Sequence, residues 1–254
     1  MVNRKYYYQQ TTDDIVASKQ QNYQLPSNYA IFPTTRLKKI WAKVLRPLAW
    51  LISHIYTKFI LKVHFVGREK LTANKKQGFF IYGNHTQTFG DVVMPLSILP
   101  AQDYYALAAP ANWGIPILGK LVLPYFGLPV SHERNLFRQL ITAVKQVITA
   151  KKVVVIYPEA HVWPYYTKIR PFPATSMHFP VTLNAASYAM TTTYHKPKFG
   201  HKPHVIVYLD GPFYPDTHLH KKQAQEKLHD QIVTAMNKRA ATSNYNYCTY
   251  HKIN

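Results

Sequence analysis

Polar residues that could do acid-base chemistry occur in three short clusters, each directly after an apolar run typical of a β-strand. Their sequences are NHTQTFGD at 84–91, SHERN at 131–135 and YPEAH at 157–161. Only four acidic residues lie between Glu69 and Asp210, and three of them belong to these clusters. Active sites of open α/β sheets form at the carboxyl ends of strands, so we expect the clusters to meet there.

The first cluster contains the candidates for catalysis, His85 and Asp91. A histidine can act as a general base near neutral pH, and a carboxylate that holds one ring nitrogen raises the basicity of the other. A structural alternative is that His85 caps a turn and Asp91 caps the helix that follows. Taken alone, the spacing of the two residues favours this structural alternative.

Strand and helix signals alternate beyond Lys62. Six segments are rich in β-branched and aromatic residues and predict strands: KVHFVG, GFFIYG, YYALAA, KKVVVIYP, YAMTTTYH and HVIVYLDG. Apolar residues at helical spacing predict helices over 134–150 and around 228–236. We therefore predict an α/β fold with a central, mostly parallel or mixed sheet flanked by helices. This domain is expected to span 62–254, after an N-terminal extension at 1–35 and an amphipathic helical segment at 36–61.

The amphipathic segment predicts contact with a membrane surface. Charged residues interrupt its apolar sequence, so no uncharged run is long enough to span a bilayer. Its layout is typical of a helix that lies in the membrane interface, with Trp at the acyl boundary and Lys or Arg toward the headgroups. Pro47 is expected to kink the helix or to split it in two. The alternative is a helix packed on its own domain. The residues expected to contact the membrane are Trp41, Lys43, Arg46, Trp50 and Lys58.

The charge balance favours an anionic partner. The chain has 31 Lys and Arg against 11 Asp and Glu, a formal net charge of +20. Nucleic acid, an anionic membrane and an acidic substrate would all suit such a surface, but no nucleic-acid-binding motif occurs and we expect no nucleic acid. Cys248 is the only cysteine, which excludes a disulfide within the chain. His195, His201 and His204 lack neighbouring carboxylates, and no metal site is predicted.

Taken together, the polar clusters resemble the motifs of the glycerolipid acyltransferases, typified by 1-acyl-glycerol-3-phosphate acyltransferase. GNHTQTFGD resembles the first motif, LPYFGLPVSHERN the second and VVVIYPEAH the third, while NAASYAMTTTY is a weak fourth. The order and separations match over roughly 62–211. The resemblance implies that His85 deprotonates the hydroxyl or amine of an acceptor, and that Asp91 orients its ring. The acceptor would then attack the thioester carbonyl of an acyl carrier.

The resemblance also implies substrate contacts and shows three departures from the family. Arg134 would grip an acceptor phosphate and Glu159 would contact the acceptor. Five residues rather than four separate the histidine from the aspartate, which a bulge at Gly90 could absorb; this spacing resembles a minority that includes some lipid N-acyltransferases. Ala160 replaces a glycine and the third-motif arginine is missing, while the fourth motif lacks its prolines. The residues that could replace the missing positive charge are His161, Lys168 and Arg170.

The sequence therefore predicts an acyltransferase of phospholipid biosynthesis, peripheral to the cytoplasmic face of the cell membrane. The start of the chain lacks the apolar core of a secretory signal, so no export is expected. No cofactor is expected beyond an acyl thioester of coenzyme A or acyl carrier protein as co-substrate. The expected partners are membrane lipids and, if the donor is an acyl carrier protein, that carrier protein. The alternatives are an N-acyltransferase, an enzyme for a non-phosphate acceptor, or a non-catalytic basic protein that binds membrane or nucleic acid.

Overall fold

The computed structural model describes residues 4–16, 21–73, 77–99 and 104–253. The helices are α1 (Arg36–Ile55), α2 (Glu69–Ala73), α3 (Gly90–Ile98), α4 (Leu123–Phe126), α5 (Arg134–Thr149), α6 (His178–Leu183) and α7 (Lys221–Ala240). The strands are β1 (Arg4–Tyr8), β2 (His64–Val66), β3 (Phe79–Gly83), β4 (Tyr104–Ala108), β5 (Gly127–Pro129), β6 (Val153–Ile156), β7 (Ala186–His195), β8 (His204–Phe213) and β9 (Cys248–Lys252). Four short 3-10 or π-helical turns are Tyr56–Ile60, Pro110–Gly114, Leu118–Val122 and Ala174–Met177.

Seven of the strands form one mixed sheet in the order β2-β8-β7-β3-β6-β4-β5. The pairing is parallel throughout, except that β7 and β8 are antiparallel. All six strands predicted from the sequence are present, and β5 adds a short edge. The predicted fold class, an α/β fold with a mixed central sheet flanked by helices, is confirmed.

The centre of the sheet is buried on both faces, which explains its uninterrupted apolar sequence. Successive side chains of a strand point to opposite faces. Phe80 and Tyr82 of β3 pack with α5 and α7 in one core, whereas Phe79 and Ile81 pack with α3 in the other. Strand β3 therefore lies between two helical layers, and its carboxyl end is held rigidly where the first polar cluster begins.

Helix α1 buries polar residues and leaves most of its large apolar residues exposed. Ser53 and Thr57 are buried, and the Thr57 hydroxyl donates a hydrogen bond of 2.8 Å to the Ser53 carbonyl. The helix runs unbroken through Pro47, so the predicted split into two helices is wrong. Among the described residues, no helix is both long and apolar enough to cross a bilayer. The exposed apolar residues of α1 and the turn after it are Leu37, Ile40, Trp41, Val44, Leu48, Leu51, Ile52, Ile55, Phe59 and Ile60, defined here as the outer face of α1.

Arg46 is the one predicted membrane residue that the structure buries. Its guanidinium donates to the carbonyls of Tyr104, at 3.3 Å, and of Tyr125. It also lies 4.6 Å from the ring centre of Tyr105 and 4.7 Å from that of Phe126. A planar, weakly hydrated guanidinium suits such a site, and the predicted headgroup contact of Arg46 stays a prediction. The other predicted membrane residues remain at least partly exposed: Trp41, Lys43, Trp50 and Lys58.

The two ends of the chain form a separate parallel pair, β1 with β9. Tyr6 stacks on Tyr250 with ring centres 5.2 Å apart, and Tyr250 stacks on Trp163 at 5.1 Å. The Tyr250 hydroxyl donates to the Pro164 carbonyl at 2.7 Å. Tyr250 of β9 thus packs against the loop after β6, and this loop carries the third polar cluster.

Candidate active site

The loop between β3 and α3 is anchored at its first residue, Asn84. Its amide donates to the Thr192 carbonyl at 3.0 Å and accepts from the Thr192 N–H at 2.8 Å. These two bonds continue the β3–β7 ladder by one position beyond Gly83. The residue that follows, His85, therefore starts from a fixed backbone at the carboxyl end of the sheet.

His85 and Asp91 are in direct contact. His85 Nδ1 lies 2.7 Å from Asp91 Oδ2, and the same oxygen accepts from the Gln87 N–H at 2.9 Å. The Asp91 side chain is 1 % exposed and that of His85 is 20 % exposed. No described residue forms a hydrogen bond with the second ring nitrogen of His85, Nε2. The pair thus combines an enclosed carboxylate with an imidazole that is partly open to solvent.

Tyr157 fixes both members of this pair. Its ring stacks on the His85 ring with centres 4.7 Å apart, and its hydroxyl donates to the Asp91 carbonyl. Burial raises the pKa of the Asp91 carboxyl, and the hydrogen bond from His85 opposes that rise. Asp91 Oδ1 is buried and has no hydrogen-bond partner among the described residues.

The extra residue between the two lies in a turn before the helix. The backbone turns at 88–89, and α3 begins only at Gly90, so no bulge within the helix is needed. Gly90 has a different role, because a Cβ there would approach the Gln87 Cβ to 2.8 Å. Gln87 itself donates from its amide to the Tyr194 hydroxyl at 3.0 Å. The predicted bulge at Gly90 is therefore wrong, although the five-residue spacing does allow the contact.

Glu159 holds the backbone of His85 in place through a hydrogen bond. Its Oε2 accepts from the His85 N–H at 3.1 Å and its Oε1 accepts from the Arg170 N–H at 2.9 Å. The side chain is 0 % exposed. Burial raises the pKa of its carboxyl, and the neighbouring Arg170 charge opposes that rise. No part of the Glu159 side chain reaches the surface in this structure, and its contact with the acceptor stays a prediction.

Arg170 is the buried partner of Glu159. Its Nη2 lies 3.0 Å from Glu159 Oε2, and its side chain is 1 % exposed. It also donates to the His161 carbonyl and, at 3.3 Å, to the Thr11 carbonyl, and it lies 4.9 Å from the Trp163 ring centre. Arg170 does place a positive charge next to Glu159, but that charge faces inward. The contact of Arg170 with the substrate likewise stays a prediction.

The remaining predicted substrate residues do not contact the His85–Asp91 pair. Arg134 is the exposed first residue of α5, after β5, which lies three strands from β3, or roughly 14 Å. His161 Nδ1 lies 3.5 Å from Asp14 Oδ2, and Lys168 is exposed. The roles of these three residues in binding a substrate stay predictions.

The length and the prolines of the segment from Glu159 to Leu183 indicate a functional loop, but the sequence analysis did not predict that its aromatic residues contact the His85 segment. Trp163 N–H donates to the His85 carbonyl and Tyr165 N–H to the Thr86 carbonyl, both at 2.9 Å. Tyr194 of β7 places its hydroxyl 2.8 Å from Thr86 Oγ1. The available signal was the density of aromatic residues and prolines between 157 and 173, directly after the third cluster.

Metal binding has no support among the described residues, which contain no group of three or more His, Cys, Asp or Glu placed to hold an ion. The arrangement is that of an acid-base pair at the end of a central strand. One ring nitrogen is held by a buried carboxylate and the other is directed away from it. Such a pair can take a proton from a nucleophile and return it to a leaving group.

Comparison with known proteins identifies the fold. The chain is similar to the crystal structure of the 1-acyl-sn-glycerophosphate (LPA) acyltransferase PlsC from Thermotoga maritima, with a TM-score of 0.58. The match has 15 % sequence identity and covers 83 % of this chain and 86 % of that one. No protein-family model and no curated protein sequence matches the chain. The protein therefore shares its α/β fold with an acyltransferase.

Proposed function

We propose that the protein is a membrane-surface acyltransferase resembling 1-acyl-glycerol-3-phosphate acyltransferase. It transfers a fatty acyl group from a thioester of coenzyme A or acyl carrier protein to the hydroxyl or amine of a lipid-pathway acceptor. The observation that carries the proposal is the 2.7 Å contact between His85 Nδ1 and Asp91 Oδ2. It occurs at the carboxyl end of β3, in a fold that the PlsC acyltransferase shares.

The proposed reaction is direct transfer with His85 as general base. Its Nε2 accepts the proton of the acceptor as the acceptor atom attacks the thioester carbonyl carbon. Asp91 stabilises the imidazolium that forms. The tetrahedral intermediate then collapses, the carbon–sulfur bond breaks, and the thiolate takes the proton back from His85. The burial of Asp91 supports this role, because the attraction between the carboxylate and the imidazolium is stronger away from water.

The membrane placement rests on the outer face of α1. A large exposed apolar patch on a protein surface marks a site that interacts with another protein or with a membrane. Trp41 is 55 % exposed and Phe59 is 60 % exposed, near the two ends of this face. Lys43 and Lys58 are exposed along the same segment. A helix that lies in the membrane interface buries its apolar face about 5–10 Å deep, and α1 has the composition and exposure for this position.

The same helix leads to the catalytic loop. The ring of Tyr56, directly after α1, packs edge-on against Phe89 at 5.1 Å between centres. Phe89 is 45 % exposed and lies two residues before Asp91. A membrane surface under α1 would therefore lie close to the His85 loop, so that a lipid acceptor could reach the imidazole from the bilayer. The net charge of +20 suits an anionic membrane and also an acidic carrier protein.

The proposal is tested by thiol release from long-chain acyl-CoA and acyl-carrier-protein thioesters in the presence of liposomes. Lysophosphatidic acid, glycerol phosphate, lysophospholipids, sugars and amino-lipids are compared as acceptors. We expect thiol release that depends on one acceptor class, together with an acylated product found by mass spectrometry. Tight liposome binding with no thiol release for any acceptor would refute the enzyme and leave a lipid-binding protein.

The membrane placement is tested separately by flotation with liposomes. Replacing Ile40 and Leu48 by serine removes apolar area from the N-terminal half of the outer face of α1. We expect the double variant to float at least about tenfold less efficiently than wild type. Replacing Ile141 and Phe137, which are exposed on α5, by serine is the matched control, and flotation equal for both pairs would refute the placement.

A further inference from the structure

A second surface feature lies at the opposite end of the sheet from His85. It is a groove of about 490 Å³ between the first half of α1 and the residues just before β6. Its lining residues are Phe32, Pro33, Lys39, Ala42, Lys43, Arg46, Pro47, Tyr105 and Lys152, defined here as the basic groove. Lys152 precedes β6, whereas His85 follows β3, so the length of the sheet separates the two sites.

Three lysines give the basic groove its charge. Lys39, Lys43 and Lys152 form no hydrogen bond or ion pair through their ammonium groups with any described residue. The described lining residues include no carboxylate. Three ammonium groups that share one concave surface, with no described carboxylate among them, repel one another, and an anion between them would relieve that repulsion.

The walls of the groove are aromatic and rigid. Lys152 Nζ lies 5.6 Å from the ring centre of Tyr105, and Arg46 lies over the same ring at 4.6 Å. Arg46 is already engaged with backbone carbonyls, so it forms the floor of the groove. The lysines thus stand around a floor whose Arg46 guanidinium is held by two backbone carbonyls.

The position of the groove on α1 points to its occupant. Lys39 and Lys43 belong to the same turns of α1 as Ile40, Trp41 and Val44 of the outer face. When that face rests in a bilayer, the groove opens beside the helix at the height of the lipid headgroups, where lysine side chains extend toward phosphates.

We propose that the basic groove binds the phosphate of an anionic phospholipid headgroup in the membrane on which α1 lies. This inference rests on the proposed membrane placement and is independent of the catalytic pair. The bound headgroup would fix the rotation of α1 about its own axis and hence the orientation of the His85 loop toward the bilayer. The ammonium groups of Lys39, Lys43 and Lys152 supply the charge, and the phosphate oxygens accept their hydrogen bonds.

The test is equilibrium binding to vesicles of phosphatidylcholine alone and of phosphatidylcholine with phosphatidylglycerol. Lys43→Gln with Lys152→Gln removes two charges from the groove. Lys145→Gln with Lys222→Gln removes two exposed charges from α5 and α7 as a matched control. We expect the groove variant to bind phosphatidylglycerol vesicles about thirtyfold more weakly than wild type. We expect the control to change binding by less than about threefold.

Three results would overturn the proposal, and they differ from one another. Equal loss of binding in the groove variant and the control would show diffuse electrostatic attraction instead of a headgroup site. Unchanged vesicle binding by the groove variant, with loss of binding to adenosine bisphosphate, would assign the groove to a soluble nucleotide. Failure of wild type to bind either vesicle would refute the membrane placement itself, whereas acceptor-dependent thiol release would still support the enzyme. Matching far-ultraviolet circular dichroism and urea midpoints show that the variants are folded.

Discussion

The buried pair of Glu159 and Arg170 gives the sharpest prediction about how the site is built. The two side chains are 0 % and 1 % exposed and lie 3.0 Å apart. Replacing Glu159 by glutamine leaves the Arg170 charge buried without its partner, and replacing Arg170 by methionine leaves the Glu159 charge in the same position. Removing one member of a buried ion pair costs about 3 to 5 kcal/mol, so we expect each single variant to lose that much free energy of unfolding.

The double variant separates the ion pair from the rest of the network. With both charges gone, the loss on the Glu159 side is the weakened acceptance from the His85 and Arg170 N–H groups, about 2 to 3 kcal/mol for two such bonds. The Arg170 hydrogen bonds to the His161 and Thr11 carbonyls are lost equally in the Arg170 single variant and in the double variant. The double variant should therefore be no less stable than the Arg170 single variant, and the coupling energy between the two sites should be at least about 3 kcal/mol.

The assay is urea unfolding followed by far-ultraviolet circular dichroism, with acceptor-dependent thiol release measured on the same samples. If Glu159 holds the His85 backbone in place, its glutamine variant loses stability and kcat together, and the double variant is no less stable than the Arg170 single variant. If Glu159 contacted the acceptor, the glutamine variant would keep wild-type stability and raise the KM for the acceptor. A coupling energy near zero would refute the buried pair.

Three further predictions concern single side chains. Tyr157→Phe keeps the ring that stacks on His85 but loses the hydrogen bond to Asp91, so we expect kcat to fall about fivefold, the equivalent of about 1 kcal/mol. Ala160 has a φ of 64°, a left-handed backbone that favours glycine, so Ala160→Gly should raise the free energy of unfolding by about 0.5 to 1 kcal/mol in urea titrations. Hydrogen bonds from Arg239 lower the pKa of the Asp210 carboxyl. The stability that Asp210 contributes is therefore present above about pH 4 and lost as the pH falls through its lower folded-state pKa. Asp210→Asn should flatten the fall of the urea midpoint below pH 4 and cost about 1 kcal/mol at pH 7.

Matched variants control each of these three measurements. Tyr166→Phe removes a hydroxyl from the same loop that no described residue binds, and kcat should not change. Ala150 has a φ of −78°, so Ala150→Gly should lower stability instead of raising it. Asp230 is 79 % exposed, and its asparagine variant should keep the wild-type profile between pH 3 and pH 5. A loss in any control as large as in its partner would contradict the corresponding reasoning.

The sequence predicts the fold well because the central strands are visible as apolar runs. Strands β3 and β6 are buried on both faces, and their uninterrupted apolar sequences need no tertiary information. The pair β1 and β9 could not be predicted, because it joins the two ends of the chain through stacked tyrosines such as Tyr6 and Tyr250. Neither strand alternates apolar and polar residues regularly enough to be detected on its own.

The sequence indicates which residues belong to the candidate site. It does not indicate whether their side chains point to a substrate or into the protein. His85 and Asp91 could be selected from the order of the polar clusters. A sequence shows that Glu159 and Arg170 are charged, but it cannot show that they bond to each other instead of to a substrate. The burial of Arg46 could not be predicted for the same reason. The carbonyl groups that accept its hydrogen bonds belong to Tyr104 and Tyr125, which lie 58 and 79 positions further along the chain.

The measurement that tests the central claim most directly is the acyl-transfer rate of His85→Ala, compared with wild type on the acceptor class that supports thiol release. His218→Ala removes an exposed histidine from the segment before α7 and serves as the control. The account predicts a loss of kcat of about a hundredfold to ten-thousandfold for His85→Ala while the variant remains folded by far-ultraviolet circular dichroism, and wild-type kcat for His218→Ala. Acyl transfer by His85→Ala at the wild-type rate would contradict the claim that this imidazole is the general base.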